Sequence, residues 1–118
     1  MKVDIKTKES GTRVTQKNIV WINFNDKAIN IFNKIRAFSP KPGAWFKYNN
    51  ERFKIIQCQT SVKEGIPSTI VNADFNIACD EGLIEPKIIQ REGKKPMRIG
   101  EFLKGFKFTI GEKVNVQI

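Results

Sequence analysis

The sequence contains no histidine and only two cysteines, and these shortages exclude much catalytic and metal chemistry. Without histidine the chain lacks the commonest general base and proton shuttle, and its serine and threonine hydroxyls lack their usual activating partner. Cys58 and Cys79 are distant in sequence, lie in apolar strand-like surroundings and form no CxxC pair, so we interpret them as buried structural thiols. We therefore expect no catalytic residue and no metal site in this chain.

The chain also lacks a signal peptide, a long apolar run, an internal repeat, a P-loop and a GxGxxG motif. A membrane span and a cradle for small phosphorylated ligands are therefore not expected, and the cysteine usage favours a reducing, cytoplasmic setting. The nearest carboxylate pair, Asp80 and Glu81, precedes Gly82 in a predicted hairpin turn, where acidic residues are common for local hydrogen-bonding reasons. These absences argue against an independent enzyme.

Positive charge, in contrast, is abundant. The 21 Lys and Arg outnumber the 12 Asp and Glu, which gives a net charge of +9. Such an excess favours polyanionic partners, nucleic acid first, although a merely soluble basic domain is also compatible with net charge alone. Between Glu85 and Lys107 seven cations face only three glutamates, and the loop REGKKPMR brings several of them together. Cations on such a loop can contact a phosphate backbone without contacting base edges.

We predict a nucleic-acid-binding surface formed by this late loop, the first hairpin and the end of the preceding helix. Lys94 and Lys95 lie next to each other in the loop REGKKPMR. The full set of candidate contacts is Lys94, Lys95, Arg91, Arg98, Lys87, Arg36, Lys41, Lys47, Arg52 and Lys54. The aromatic residues Trp45, Phe46, Tyr48 and Phe53 could stack on bases, but their hairpin positions favour a core role, as does the position of Trp21.

The N-terminal third of the chain predicts an arm followed by a helix. Residues 1–16 are polar and basic without a sustained period, as expected of a linker or flexible arm, which leaves one domain at 17–118. Asn25 or Asp26 supplies the N-cap of a helix that ends near Phe38. Its predicted apolar face comprises Ala28, Ile29, Phe32, Ile35 and Phe38. Pro40, Pro42 and Gly43 then end the helix and turn the chain into a strand.

The remainder predicts β-structure. AWFKY and ERFKIIQCQTSV form a hairpin around Asn49 and Asn50, residues 69–79 hold one or two strands, and residues 83–90 form a strand in which Pro86 marks an edge or a bulge. A short helix then ends at Gly105, and a closing strand covers residues 113–118. The fold class is therefore mainly β, with one N-terminal helix and one short late helix, arranged as a small β-barrel.

Several motifs resemble one family over residues 14–114. The stretch IRAFSPKPGAWF, the hairpin after it, NIACDEGLIEPKIIQREGKKPM and EFLKG are similar to the C-terminal domain of methionyl-tRNA formyltransferases. Lys41 stands where that family typically has a tryptophan between its two prolines, which adds a cation. Related formyltransferases that act on sugars have these motifs in a similar order. The GKKPM segment and the excess of basic over acidic residues, however, resemble the tRNA enzyme more closely.

The resemblance implies an OB-like Greek-key barrel whose positive face holds initiator tRNA in translation initiation, with Lys94 and Lys95 as the lead phosphate contacts. A separate N-terminal domain would transfer formyl from 10-formyltetrahydrofolate, so no catalytic residue and no cofactor is expected here. The implied partners are initiator tRNA and that N-terminal formyltransferase domain, without a membrane, and the chain is expected to be monomeric. The alternative is a packing or interaction module of a sugar N-formyltransferase that binds no nucleic acid, for which a solvent-facing aromatic patch including Trp45 is expected.

Overall fold

The computed structural model describes residues 19–116, so the predicted arm at 1–16 lies outside the described residues. The elements in chain order are β1 (Val20–Trp21), α1 (Ala28–Phe38), β2 (Ala44–Tyr48), β3 (Glu51–Ser61), β4 (Ile77–Ala78), β5 (Leu83–Arg91), β6 (Met97–Arg98) and α2 (Ile99–Gly105). The prediction of a mainly β fold with an early and a short late helix is confirmed.

One sheet contains all six of these strands, in the order β1-β2-β3-β5-β4, with β6 also paired to β5. The β1–β2 pair is parallel and the other pairs are antiparallel. The two longest strands, β3 and β5, run side by side, and the sheet curls around the core as a half-barrel. This architecture is consistent with the small OB-like barrel that the sequence predicts.

The hairpin between β2 and β3 forms where the sequence predicts it. Asn49 and Asn50 have φ angles of 56° and 65°, and Tyr48 pairs directly with Glu51. Asparagine tolerates this left-handed geometry, and a two-residue turn of this hand matches the twist of the strands. Because the register is fixed, Phe46 and Phe53 face the core together, while Lys47 and Arg52 share the opposite side, which we call the outer face.

Helix α1 ends at Phe38, and the Gly43 amide donates to the Phe38 carbonyl at 2.8 Å. Gly43 has φ +84°, and a Cβ there would overlap the Cδ atom of Lys54. Glycine is therefore required at this turn both for the backbone angle and for the space that the Lys54 side chain occupies.

The predicted apolar face of α1 is partly wrong. The buried residues are Ala28, Ile31 and Ile35, at the three-and-four spacing of a helix, whereas the side chain of Ile29 is 54% exposed. The N-cap position is Lys27, without a side-chain cap, so the predicted N-cap is wrong. The predicted residue Asp26 accepts hydrogen bonds from the Lys27 amide at 2.7 Å and from Asn30 Nδ2 at 2.9 Å, and the Ala28 amide donates to the Glu81 carbonyl at 2.8 Å.

Two other segments are less regular than predicted. Residues 69–79 contain a single short strand, β4, and residues 113–116 contain no strand but only an isolated bridge from Lys113 to Thr69. Positions 117–118 lie outside the described residues. Asn115, at φ 61°, turns the chain and exchanges hydrogen bonds with the Lys47 backbone: its amide donates to the Lys47 carbonyl at 2.7 Å, and its Oδ1 accepts from the Lys47 amide at 2.9 Å.

Pro86 lies inside the sheet and not at an outer strand. Its partner on β3 is Cys58, and the register shifts beside this pair leave Ile56 of β3 and Lys87 of β5 without a direct partner, so the predicted bulge is present next to Pro86. On its other side β5 pairs with β4 at Leu83 and Ile84 and with β6 at Ile88 and Ile89. Pro86 lies between the segment that pairs with β4 and the segment that pairs with β6, so on this side of β5 it has no partner among the described strands to which an amide would donate.

One part of the core is a cluster of phenylalanine rings between the sheet and α2. Phe46 and Phe53 stack with their centroids 5.4 Å apart, and Phe102 of α2 stacks at 4.6 Å on Phe106, the residue that follows the helix. Phe53 joins the two pairs through an edge contact of 5.3 Å with Phe106. Because aromatic pairs add to the free energy of apolar burial, α2 is held to the sheet mainly by these rings.

We expect Ile31→Ala to lower the free energy of unfolding by about 2–5 kcal/mol, because Ile31 is only 2% exposed and its loss leaves a cavity. Ile29→Ala is the matched control, since it makes the same change on the same helix at an exposed site and should cost less than about 0.5 kcal/mol. Chemical denaturation of both variants measures the difference. Equal losses would contradict the burial of α1 described above.

The two thiols should make unfolding sensitive to alkaline pH. Burial raises the pKa of Cys58 and of Cys79 from 9.0 to about 12. The unfolded state therefore releases these protons first, so their contribution to stability is complete below pH 9 and is lost as the pH rises towards 12. We expect the denaturation midpoint to fall above pH 9 more steeply than in a Cys58→Ala, Cys79→Ala double variant, and parallel pH profiles would refute this.

Candidate nucleic-acid interface

The outer face of the sheet carries most of the predicted hairpin contacts in two rows that run across the strands. The first row is Trp21, Trp45, Lys54 and Gln90, each directly paired with the next. The second row is Lys47, Arg52 and Glu92, since the Glu92 amide extends the ladder by donating to the Arg52 carbonyl at 3.1 Å. Strand register therefore brings together side chains that are widely separated in the sequence.

Lys54 lies on the predicted side of the hairpin, but its charge is used inside the protein. The residue is only 9% exposed, and its Nζ donates to the Pro40 carbonyl at 2.9 Å while lying 5.3 Å from the Trp45 ring centroid. Burial, together with the positive charge of Lys41, lowers the pKa of Lys54. The ammonium thus ties the turn after α1 to the hairpin and is not presented to a phosphate.

Two of the predicted arginines form crossed ion pairs between β3 and β5. The Arg52 guanidinium is paired with the Glu92 carboxylate on the outer face. Arg91 Nε donates to Glu51 at 2.6 Å on the opposite face, since successive strand residues alternate in direction. Sequence analysis did not identify the two glutamates as partners, although the complementary dipeptides Glu51-Arg52 and Arg91-Glu92 were a possible signal.

Arg91 is further held against the core. Its guanidinium lies 5.1 Å from the centroid of the Phe106 ring, and the hydrogen bond to Glu51 raises its pKa. A guanidinium that stacks on a ring and pairs with a carboxylate has few donors left for another anion. In this structure Arg91 and Arg52 therefore stabilise the ends of the two long strands.

Lys94 and Lys95, the lead candidates, lie exposed in the loop between β5 and β6. The loop backbone is ordered by the Lys94 amide, which donates to the Arg91 carbonyl at 2.9 Å, and by Gln90 Nε2, which donates to the Lys94 carbonyl at 2.7 Å. Gly93, at φ +79°, makes the turn. The ammonium groups of Lys94 and Lys95 are thus exposed to solvent on a loop whose backbone conformation is fixed by hydrogen bonds.

The other candidates occupy different surroundings. Arg98 is exposed and pairs through β6 with Ile88, which shares its face of β5 with Gln90, so Arg98 belongs to the outer face. Lys47 is exposed, with its Nζ 5.5 Å from the Trp21 ring centroid. Lys41 lies exposed in the turn near Lys54.

Two candidates have other neighbours. Lys87 is half-buried and lies 3.8 Å from Glu85, at the register shift between Pro86 and Ile88. Arg36 is exposed in the last turn of α1, with its guanidinium 5.5 Å from the Phe32 ring centroid. We call Lys41, Lys47, Lys94, Lys95 and Arg98 the outer-face cations from here on.

The four aromatic residues of the hairpin divide between the two faces. Phe46, Tyr48 and Phe53 are buried in the core, as the sequence predicts. Trp45 is instead half-buried on the outer face, beside Trp21. The indole Nε1 of Trp45 donates to the Pro42 carbonyl at 3.1 Å, which fixes the ring against the turn after α1.

Neither helix within residues 19–116 has the length and apolar character needed to cross a bilayer. In the same range, no three His, Cys, Asp or Glu side chains are grouped so that they could hold a metal ion. The chemistry available at the outer face is therefore that of exposed ammonium and guanidinium groups beside two half-buried indoles.

Comparison with known proteins identifies the family of this chain. The family model "Formyl transferase, C-terminal domain" matches residues 15–107. A methionyl-tRNA formyltransferase of Rickettsia bellii is 42% identical over 95 residues, which cover 79% of this chain and 31% of that protein. Corresponding proteins of Rhizorhabdus wittichii and Paramagnetospirillum magneticum are 38% and 33% identical, over 79% and 71% of this chain and 31% and 28% of those proteins. The chain spans about a third of the length of these relatives (31% of the first). It belongs to the formyl transferase C-terminal domain family.

Proposed function

We propose that this chain is the tRNA-holding C-terminal domain of a methionyl-tRNA formyltransferase. The observation that carries the proposal is the ordered β5–β6 loop, which presents Lys94 and Lys95 to solvent on a domain of this family. The net charge of +9 supports a polyanionic partner. The domain would act in the cytoplasm during translation initiation, with initiator methionyl-tRNA as its ligand.

The mechanism of holding is electrostatic. The outer-face cations contact phosphates, and each contact releases a condensed counterion, which supplies affinity without selecting sequence. Lysine suits this role because its ammonium acts as a mobile point charge that accommodates phosphates at varied positions. Arg52, Arg91 and Lys54 contribute indirectly, since their ion pairs and hydrogen bonds fix the strands and the turn that display the other cations.

Chemistry would belong to a separate N-terminal domain, which transfers formyl from 10-formyltetrahydrofolate to the methionyl amine. In this proposal the chain supplies no catalytic residue. It holds the tRNA so that the acceptor end lies at the N-terminal domain. Such restraint lowers the entropic cost of bringing two reactants together. The sugar-formyltransferase alternative is less favoured, because the relatives reported above are named for methionyl-tRNA.

We expect the double variant Lys94→Gln, Lys95→Gln to weaken initiator-tRNA binding and to reduce the slope of log affinity against log salt by about 1.8, since each duplex phosphate contact contributes about 0.9. The matched control is Lys27→Gln, Lys63→Gln, which removes the same charge from exposed positions at the other end of the β3–β5 ladder. Filter binding or fluorescence anisotropy across a salt series measures both slopes.

Because both double variants have the same net charge, the comparison separates location from overall charge. If the two slopes decrease equally, tRNA is attracted only by the general positive field, and the assignment of Lys94 and Lys95 is refuted. If neither slope changes, the holding role itself is refuted.

Glu92 should oppose RNA binding, because its carboxylate lies on the outer face beside the Lys94 loop. Glu92→Gln releases the Arg52 guanidinium and removes a repulsive charge, so we expect tRNA affinity at low salt to rise about two- to fivefold. Glu64→Gln, an exposed position in the loop after β3, is the control and should change affinity much less. A Glu92→Gln affinity equal to or below that of the parent chain would contradict this arrangement.

A further inference from the structure

The sheet places the only two tryptophans of the chain side by side on the outer face. Trp21 of β1 pairs with Trp45 of β2, and their strand neighbours Val20 and Ala44 take the core side. Both indoles are half-buried. Within residues 19–116 the ring contacts of the core join Phe and Tyr side chains, and neither tryptophan takes part in them. The two indoles are therefore not core filler.

Each indole has a lysine ammonium near its ring, but the two lysines are held differently. Lys54 is buried and bonded to the Pro40 carbonyl, and with the Trp45 Nε1 bond to Pro42 this makes Trp45 a fixed platform. Lys47 is exposed, with its Nζ 5.5 Å from the Trp21 centroid. The Lys47 side chain can swing away without loss of a buried hydrogen bond, while its backbone stays fixed by Asn115.

An aromatic surface beside a mobile cation matches the chemistry of an unpaired nucleotide. The face of a base stacks on an indole, and the phosphate of the same nucleotide takes over the ammonium that had rested on the ring. In a duplex the base faces are covered by their neighbours, so such a site discriminates in favour of single-stranded segments. The outer-face cations next to the indoles would hold the flanking phosphates.

We propose that Trp21, Trp45 and Lys47 form a binding site for an unpaired nucleotide of the bound RNA. This inference rests on the proposed function and adds a ligand class to it: the site takes a single-stranded segment, with the base stacked on the indoles and the phosphate paired with Lys47. The two tryptophans thus bind a base by stacking, a role that is separate from the attraction between lysines and RNA phosphates.

The test uses the intrinsic fluorescence of these two tryptophans in the whole 118-residue chain. Three probes are titrated: an unstructured oligoadenylate, a blunt RNA duplex of equal phosphate number, and inorganic polyphosphate. We expect oligoadenylate to quench the emission, because stacked bases quench indoles, and the other two probes to quench it far less. Equal quenching by polyphosphate would show displacement of lysine without stacking and would overturn the proposal.

Trp21→Leu should weaken oligoadenylate binding about 5- to 150-fold, the range expected for the loss of one stacked base, while leaving duplex affinity unchanged. Phe32→Leu is the matched control, because it removes another ring that lies under a cation, Arg36, away from the sheet's outer face. Trp21→Phe keeps an aromatic surface and should retain part of the affinity. Circular dichroism and thermal melting confirm that each variant is folded.

Failure of this inference is distinguishable from failure of the proposed function. If Trp21→Leu and Trp21→Phe bind oligoadenylate as the parent chain does, while Lys94→Gln, Lys95→Gln still weakens tRNA binding, stacking is refuted and electrostatic holding survives. If the lysine variant leaves tRNA affinity unchanged, the proposed function itself is refuted, whatever the tryptophan variants do.

Discussion

The antiparallel ladder between β3 and β5 is the interaction on which the rest of the structure depends. Its core side carries Phe53, Ile55 and Ile89, all fully buried, so it provides the surface on which α2 and the phenylalanine cluster pack. Strand β2 attaches to one side of this ladder, and β4 and β6 attach to the other. A bulge next to Pro86 bends it, which lets a single sheet wrap around the core.

The far end of the same ladder decides which cations remain available for a ligand. Crossed ion pairs, Arg52 with Glu92 and Arg91 with Glu51, hold the two strands together there. Lys54 is likewise committed to the turn after α1. The lysines of the β5–β6 loop lie just beyond these pairs and are exposed, so charges that stabilise the fold are directly followed along the chain by the charges that we propose to contact RNA. The net charge of the chain does not show which cations are paired within the fold and which are exposed.

The part of β2 that is not paired with β1 is closed by the segment after α2. Asn115 donates to the Ile22 carbonyl at 2.9 Å and bonds the backbone of Lys47, while the Tyr48 hydroxyl donates to the Glu112 carboxylate. An exposed sheet edge invites pairing with other chains, and these contacts cover it. They also fix the backbone from which Lys47 projects towards Trp21, so the two proposals for the outer face share one support.

Features of the fold that depend on neighbouring residues were predictable from the sequence, whereas features that depend on distant residues were not. The Asn49-Asn50 turn, the Gly82 turn, the end of α1 before Pro40 and the late helix ending at Gly105 were all predicted, because turn and helix-end preferences act over a few residues. The family resemblance was also visible in the motifs. The N-cap and the apolar face of α1 were predicted only in part, because the contacts of this helix with distant segments, such as the Ala28 amide with the Glu81 carbonyl, are not visible in local preferences.

The sequence by itself therefore determined the two helices, the β2–β3 hairpin, strand β5 and the excess of positive charge. Only the tertiary structure decided which cations are paired, since Glu92 is 40 residues from Arg52 and meets it through the β3–β5 register alone. The same applies to the tryptophans: alternation assigns each to one of two faces, but the pairing of β1 with β2 sets Trp21 beside Trp45 on the face that carries the cations. Strand register is a long-range property, and short-range preferences do not specify it.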